Sequence, residues 1–222
     1  MNTTPITDLD SLNFKELTKQ ALDVARSVPN WKLTKTYSQS NVITDVFSST
    51  IEQDFWVARQ TQLNAHQTSS YEDKFHKLLI GNIPIDLQDN HTFHEKNYIH
   101  DLYDFNIKGF NDSTYLIKTF YNLPFPLKKR TFHNLVHIVD TGTYSMVLSL
   151  SLEPGILGID PGFVVGHYSS IELIERNEKG LLWTMCTSSN PNGSIPYWIT
   201  KKSLPGAIVN DVPSFLAYCD KH

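Results

Sequence analysis

The sequence predicts an α+β fold: a helix near the start, a body made mainly of strands with short helices inserted, and a long helix at the end. Three observations carry that reading. Phe14, Leu17, Ala21, Val24 and Val28 recur at helical spacing. Residues 115–188 divide into runs rich in β-branched and aromatic side chains, and Ile208, Val212, Phe215, Leu216 and Cys219 form a second helical stripe.

The elements follow in order. A first helix spans residues 12–28, with Asp10 or Ser11 available to cap it and Pro29 to end it. Residues 31–37, 41–48 and 51–62 read as three strands of an antiparallel meander. Ser70 opens a short helix through Tyr71, Phe75, Leu78 and Leu79, and Gly81 stops it. Another short helix fits residues 92–100. Strands then dominate, at residues 115–121, 131–140, 144–152, 166–176 and 181–188.

At 222 residues, with 40% hydrophobic and 12% aromatic content, the chain can build one sizeable core and still line a pocket with rings. Its formal charge of −4 argues against a nucleic-acid groove, which needs a basic field. Residues 1–10 have neither the basic start nor the apolar run of a secretory signal, and no stretch approaches the ~20 apolar residues of a membrane span. The two cysteines, Cys186 and Cys219, lack C-x-x-C spacing and suit reduced thiols. A cytoplasmic protein is the resulting expectation.

Residues 183–215 are the most informative segment. Trp183 and Met185 share one face of a strand. Asn190, Pro191, Asn192 and Gly193 form a dense turn signal. Ser194 suits an N-cap, and Ile195, Trp198 and Ile199 begin a helical face. Pro205 and Pro213 each remove a backbone donor, which predicts a kinked or two-part helix. Such a helix reads as a lid over a cavity, although periodicity alone fits equally a helix that seals an ordinary core.

The strand, the N-P-N-G-S-I-P turn and the closing helix resemble the C-terminal signature of START-type lipid-binding domains, and within them a START-like family of unknown function found mainly in fungi. Three further segments are similar to that family: W-V-A-R at residues 56–59 followed by His66, L-P-F-P-L-K-K-R-T-F at 123–132, and G-H-Y-S-S-I-E at 166–172. The resemblance implies a helix-grip fold, a curved antiparallel sheet around a long C-terminal helix with a lipid-sized cavity between them. It implies one START-like domain over residues 1–222, with an N-terminal helix region at 1–28 and a lid helix at 194–221. Arg130 falls where START domains often carry an Arg-Asp pair, but Thr131 replaces the acid.

Residues 153–163 combine Gly and Pro with Ile156, Leu157, Ile159 and Phe163, apolar side chains that need cover. START-like order makes this loop a gate, so these four, with Ile208 and Val212 of the lid, are the expected entrance residues. A loop folded onto the core is the alternative. Arg59 follows an apolar run, and Glu172 lies between Ile171 and Leu173. A charge in such company must be paired or meet polar ligand atoms. Both are expected in the cavity, paired with each other when it is empty, although alternation alone also allows the solvent face. Trp183, Trp198 and Ile199 complete the expected apolar wall.

His133 and His137 share a strand face with Leu135, and His137 is taken as a cavity residue. The cluster His91, His94, Glu95 and His100 lacks H-E-x-x-H spacing, and no metal or other cofactor is expected. No G-x-S-x-G elbow or catalytic-cysteine context is present. The sequence therefore predicts a noncatalytic carrier of one hydrophobic or amphipathic molecule, of the sterol, phospholipid or fatty acyl kind. Its other expected partner is a membrane surface, met transiently. The runner-up is a cyclase or hydrolase using the same cavity on an aromatic or polyketide-like substrate, since fold does not fix function.

Overall fold

The computed structural model of the protein describes residues 3–122, 128–193 and 197–222. Helix α1 (Phe14–Ser27) is capped by Asn13, whose side chain accepts from the Glu16 backbone N–H, rather than by Asp10 or Ser11. Strands β1 (Lys32–Gln39), β2 (Val42–Ile51) and β3 (Asp54–Leu63) form the first meander. Helix α2 (Ala65–Phe75) starts five residues before Ser70, because Asn64 and Gln67 make a reciprocal capping box. It continues as a π turn over His76–Ile80 and stops at Gly81, which takes a φ of 87°. A small hairpin, β4 (Gly81–Asp86) and β5 (Asp89–Asn90), leads into α3 (His91–Tyr98).

The remaining strands are β6 (Leu102–Asn111), β7 (Thr114–Tyr121), β8 (Arg130–Asp140), β9 (Tyr144–Ser151), β10 (Val164–Asn177) and β11 (Gly180–Asn190). Helix α4 (Tyr197–Cys219) runs through both prolines as one helix. Nine strands join in the order β1-β2-β3-β11-β10-β9-β8-β7-β6, antiparallel except where the start of β10 meets β8 in parallel. The sheet is curved, and the architecture is the helix-grip fold. β6 is absent from the sequence reading, yet Tyr103, Phe105 and Ile107 alternate with Asp104, Asn106 and Lys108, a pattern suited to an edge strand.

Strand parity sorts the two faces. On the inner face Tyr115, Ile117, Val136, Ile138, Val147, Ile174 and Trp183 pack with Phe75 and Leu79 and with Val212, Phe215 and Leu216 of α4. On the outer face Trp56, Ala58, Met146, Leu148, Ile171 and Cys186 lie under Ala21, Val24 and Ala25 of α1. Phe75 meets Trp183 and Phe215 edge-on, at ring separations of 5.0 and 4.9 Å. That aromatic cluster fixes the C-terminal half of α4. Further ties come from Tyr71 to Asp220 (2.7 Å) and from Lys74 Nζ to the Cys219 carbonyl (2.6 Å).

The loop at residues 153–163 belongs to the outer face. Ile156 and Leu157 pack against Leu116, Leu135 and Leu152 beside Ile6, Leu9, Leu12 and Phe14. Asp160 pairs with the buried Lys118 at 2.6 Å, and Phe163 packs on Phe120. The expectation of a cavity gate is corrected here, since Leu116, Lys118 and Phe120 have the parity opposite to cavity-lining Ile117, Thr119 and Tyr121.

Candidate functional site

A cavity of about 460 Å³ lies between the inner face of β7–β11 and the helices α3 and α4. Ile117, Val136, Met185, Leu204 and Ile208 give it apolar walls, and the rings of Tyr98, Tyr121, Phe132 and Tyr168 add aromatic surface. His100, Asp101, Ala207, Asn210 and Ser214 line it and are also exposed, so it opens between α4 and the segment following α3. Such a volume falls within the usual range for small-molecule sites.

The inner end of the cavity is polar. Arg59 and Glu172 occupy one row of the sheet, each paired with Met185 from opposite sides. Arg59 therefore reaches across one strand to donate from Nη2 to Glu172 Oε1 at 3.0 Å. Its guanidinium stacks over the Trp183 ring at 3.8 Å, and Trp183 Nε1 donates to the same carboxylate oxygen. Arg59 is 1% exposed, and its Nε and Nη1 have no hydrogen-bond partner among the described residues.

A small recess at this end is lined by Arg59, Glu172 and Trp183, and by Glu95, Tyr98, Tyr168 and Asp211, which also line the main cavity. Burial pushes the Glu95 carboxyl up to about 8, with the Glu172 charge adding to the effect. Asp211 is pushed up to about 7 by burial; Arg59 pulls it down, while Glu172 and Glu95 push it further up. The side chain of Glu95 keeps 23% of its surface, and the residue lines the cavity. Burial also raises the phenols of Tyr98, Tyr121 and Tyr168, so these rings stay protonated and can donate.

Among the expected site residues, Arg59, Glu172 and Trp183 meet at this polar end, and Ile208 lines the wall. Val212 is buried in the core beside Phe215. His137 stands elsewhere. Odd positions of β8 point outward, so its ring packs on Phe14 of α1 at 4.7 Å and bonds Thr114 at 2.8 Å. Trp198 and Ile199 are 66% and 39% exposed on the first turn of α4, before the helix reaches the cavity at Leu204. Ile159 is 68% exposed on the outer loop. Ser194, Ile195 and residues 123–127 lie outside the described residues.

Arg130 has a structural task that Thr131 does not share. It donates to the carbonyls of Lys128, Pro191 (2.8 Å) and Asn192 (3.3 Å), tying the N-P-N-G turn to the start of β8. Asn192 and Gly193 adopt φ values of 53° and 70°, the conformation that Asn and Gly tolerate best. In the histidine cluster, His91 bonds the Leu79 carbonyl, while His94 bonds Tyr218 and lies 2.7 Å from Asp89.

Glu95 and Asp211 were missed as cavity groups, although Asp211 carries a legible signal. It lies three residues after Ile208 and four before Phe215, inside the apolar stripe of α4. Glu95 gives no comparable signal, because α3 is short and mixed in composition.

An inner sheet face closed by a C-terminal helix over a cavity defines the START-type helix-grip fold. The fold matches human STARD10 with a TM-score of 0.71 at 15% identity, over 100% of this chain and 84% of that one. It matches human StAR-related lipid transfer protein 5 with a TM-score of 0.71 at 12% identity, over 93% and 94%. The human StarD13 lipid transfer and protein localization domain matches with a TM-score of 0.60 at 18% identity, over 94% and 98%. The chain belongs to the family described as a protein of unknown function, DUF3074, whose profile matches residues 56–219. No curated protein matches its sequence.

Proposed function

We propose that the protein binds one hydrophobic or amphipathic molecule of the sterol, phospholipid or fatty acyl kind in this cavity and carries it between membranes without chemical change. The observation that supports this most is the pairing of apolar walls with a polar inner end, in a fold shared with human StAR-related lipid transfer protein 5. Covering ~300 Å² of apolar ligand surface at ~25 cal/mol/Å² contributes about 7 kcal/mol before association costs, enough to hold a lipid without a covalent bond. The Arg59–Glu172 pair orients the ligand head inward.

The exposed Trp198 and Ile199, followed by the exposed Lys201 and Lys202, suit transient contact with an anionic membrane surface. No helix among the described residues is long and apolar enough to cross a membrane. This reading, with the reduced buried cysteines, suits the cytoplasm.

Native mass spectrometry of the protein purified from its own host tests the proposal. A single lipid adduct, released on denaturation, is the expected result. An adduct-free protein that also fails to take up lipid from vesicles overturns it. Turnover of an aromatic or polyketide-like compound would favour the enzyme reading, with Glu95 as the candidate proton donor.

A further inference from the structure

The polar end of the cavity has an unbalanced set of charges. Facing one another there are Arg59 from β3, Glu172 and Tyr168 from β10, His91, Glu95 and Tyr98 from α3, and Asp211 from α4; β9 and β11 contribute the uncharged Val147, Trp183 and Met185. One guanidinium thus stands against three carboxyls, and Arg59 already pairs with Glu172. Burial lowers the pKa of His91, which keeps its ring neutral, and Arg130, at the far end, is engaged with backbone carbonyls. Among the described residues, neither the Glu95 nor the Asp211 carboxyl makes a hydrogen bond, and the nearest cationic candidate to Glu95 is His91 at 3.7 Å. Two donors of Arg59, its Nε and Nη1, are also unmet although the residue is 1% exposed.

Unmet groups of both kinds at one end of a cavity, the Arg59 donors fully buried and the two carboxyls partly so, call for a ligand head that supplies a cation and an acceptor side by side. We propose that the cavity selects a single-chain amphipathic amino alcohol, its ammonium held between Glu95 and Asp211 and its hydroxyl oxygen accepting from Arg59. This rests on the carrier reading above and names the ligand class.

Uptake is then linked to protons. Glu95, at about 8, is largely protonated in the empty protein at neutral pH, and Asp211, at about 7, is half protonated. An incoming ammonium favours both carboxylates, so each carboxylic acid that ionises on binding releases its proton to solvent. Affinity for the amino alcohol therefore falls as the pH drops through 8 and 7.

Isothermal titration of the full chain with 2-aminododecan-1-ol, dodecan-1-ol, dodecanoate and dodecylphosphocholine below their aggregation concentrations tests this. At pH 8.5 the amino alcohol is expected to bind about tenfold or more tighter than dodecan-1-ol, a gap closing to about threefold or less at pH 6. Two buffers of different ionisation enthalpy read the released protons directly at pH 7, without any variant. Glu95→Gln and Asp211→Asn, near-isosteric changes, should each narrow the gap. Dodecan-1-ol binding as well as the amino alcohol at every pH, or dodecanoate or dodecylphosphocholine binding tightest, overturns the assignment and leaves the carrier reading standing. No binding of any of the four overturns both.

Discussion

Glu95 shows how one side chain links the cavity to stability. Its carboxyl sits at about 8 in the folded protein against an ordinary value of about 4.5, so between these values the folded state holds a proton that the unfolded chain has lost. Folding then takes up a proton, and the Glu95 contribution to stability falls as pH rises, levelling off above about 8. Histidines act in the opposite sense. His133, held at about 4 by burial, costs stability as pH falls below its unfolded value. The two trends overlap, so the clean measurement is the difference between Glu95→Gln and the parent. Equal melting temperatures are expected near pH 4, with the variant ahead by pH 9 by roughly 1–3 kcal/mol, a few degrees at this size. A constant difference across that range would mean that Glu95 is ionised in the empty cavity.

Among the elements, α4 is built unevenly. Its C-terminal half is held by Phe215, Tyr71 and Lys74, whereas its first two turns carry exposed side chains, and Pro205 interrupts the hydrogen-bond ladder next to Gly206. A Cβ at Gly206 meets nothing within 4 Å, so Gly206→Ala is free of clash. It is expected to stabilise the helix by about 0.5–1 kcal/mol and to slow ligand release several-fold, if opening bends the helix at this point. Stopped-flow displacement of a fluorescent lipid measures the rate, and an unchanged rate in a stabilised variant rules the hinge out.

The same helix shows what the sequence discloses. Its apolar stripe and prolines were legible, as were the strands of the main sheet apart from β6, because each is written in local periodicity; a charge set among apolar neighbours marked Arg59 and Glu172, but alternation alone left their face open. The side of the sheet on which a loop lands is not local information. START-like order makes residues 153–163 a gate, yet Lys118 and Phe120 fasten them to the outer face. His137 was misplaced for a related reason: parity shows that His133 and His137 share a face, and only the docking of α1 shows which face it is.

At the scale of the molecule, the cavity opening, the proline-interrupted stretch and the exposed apolar tip all lie along α4. Leu204, Ala207 and Ile208 line the cavity, and Trp198 stands less than two turns earlier, 66% exposed. If that tip contacts the membrane, binding in solution and extraction from a bilayer separate in one variant. Trp198→Asp removes an exposed ring and adds a charge that anionic lipid repels. Its unfolding free energy should stay within about 1 kcal/mol of the parent, and its equilibrium affinity for a water-soluble short-chain probe should be unchanged. The rate of lipid transfer between anionic vesicles should fall about tenfold, because about 1.4 kcal/mol of lost interfacial attraction corresponds to that factor. Neutral vesicles should show a smaller fall, since only the ring burial is lost there. Equal transfer rates for variant and parent would move the contact elsewhere, with the exposed Ile159 of the outer loop as the next position to change.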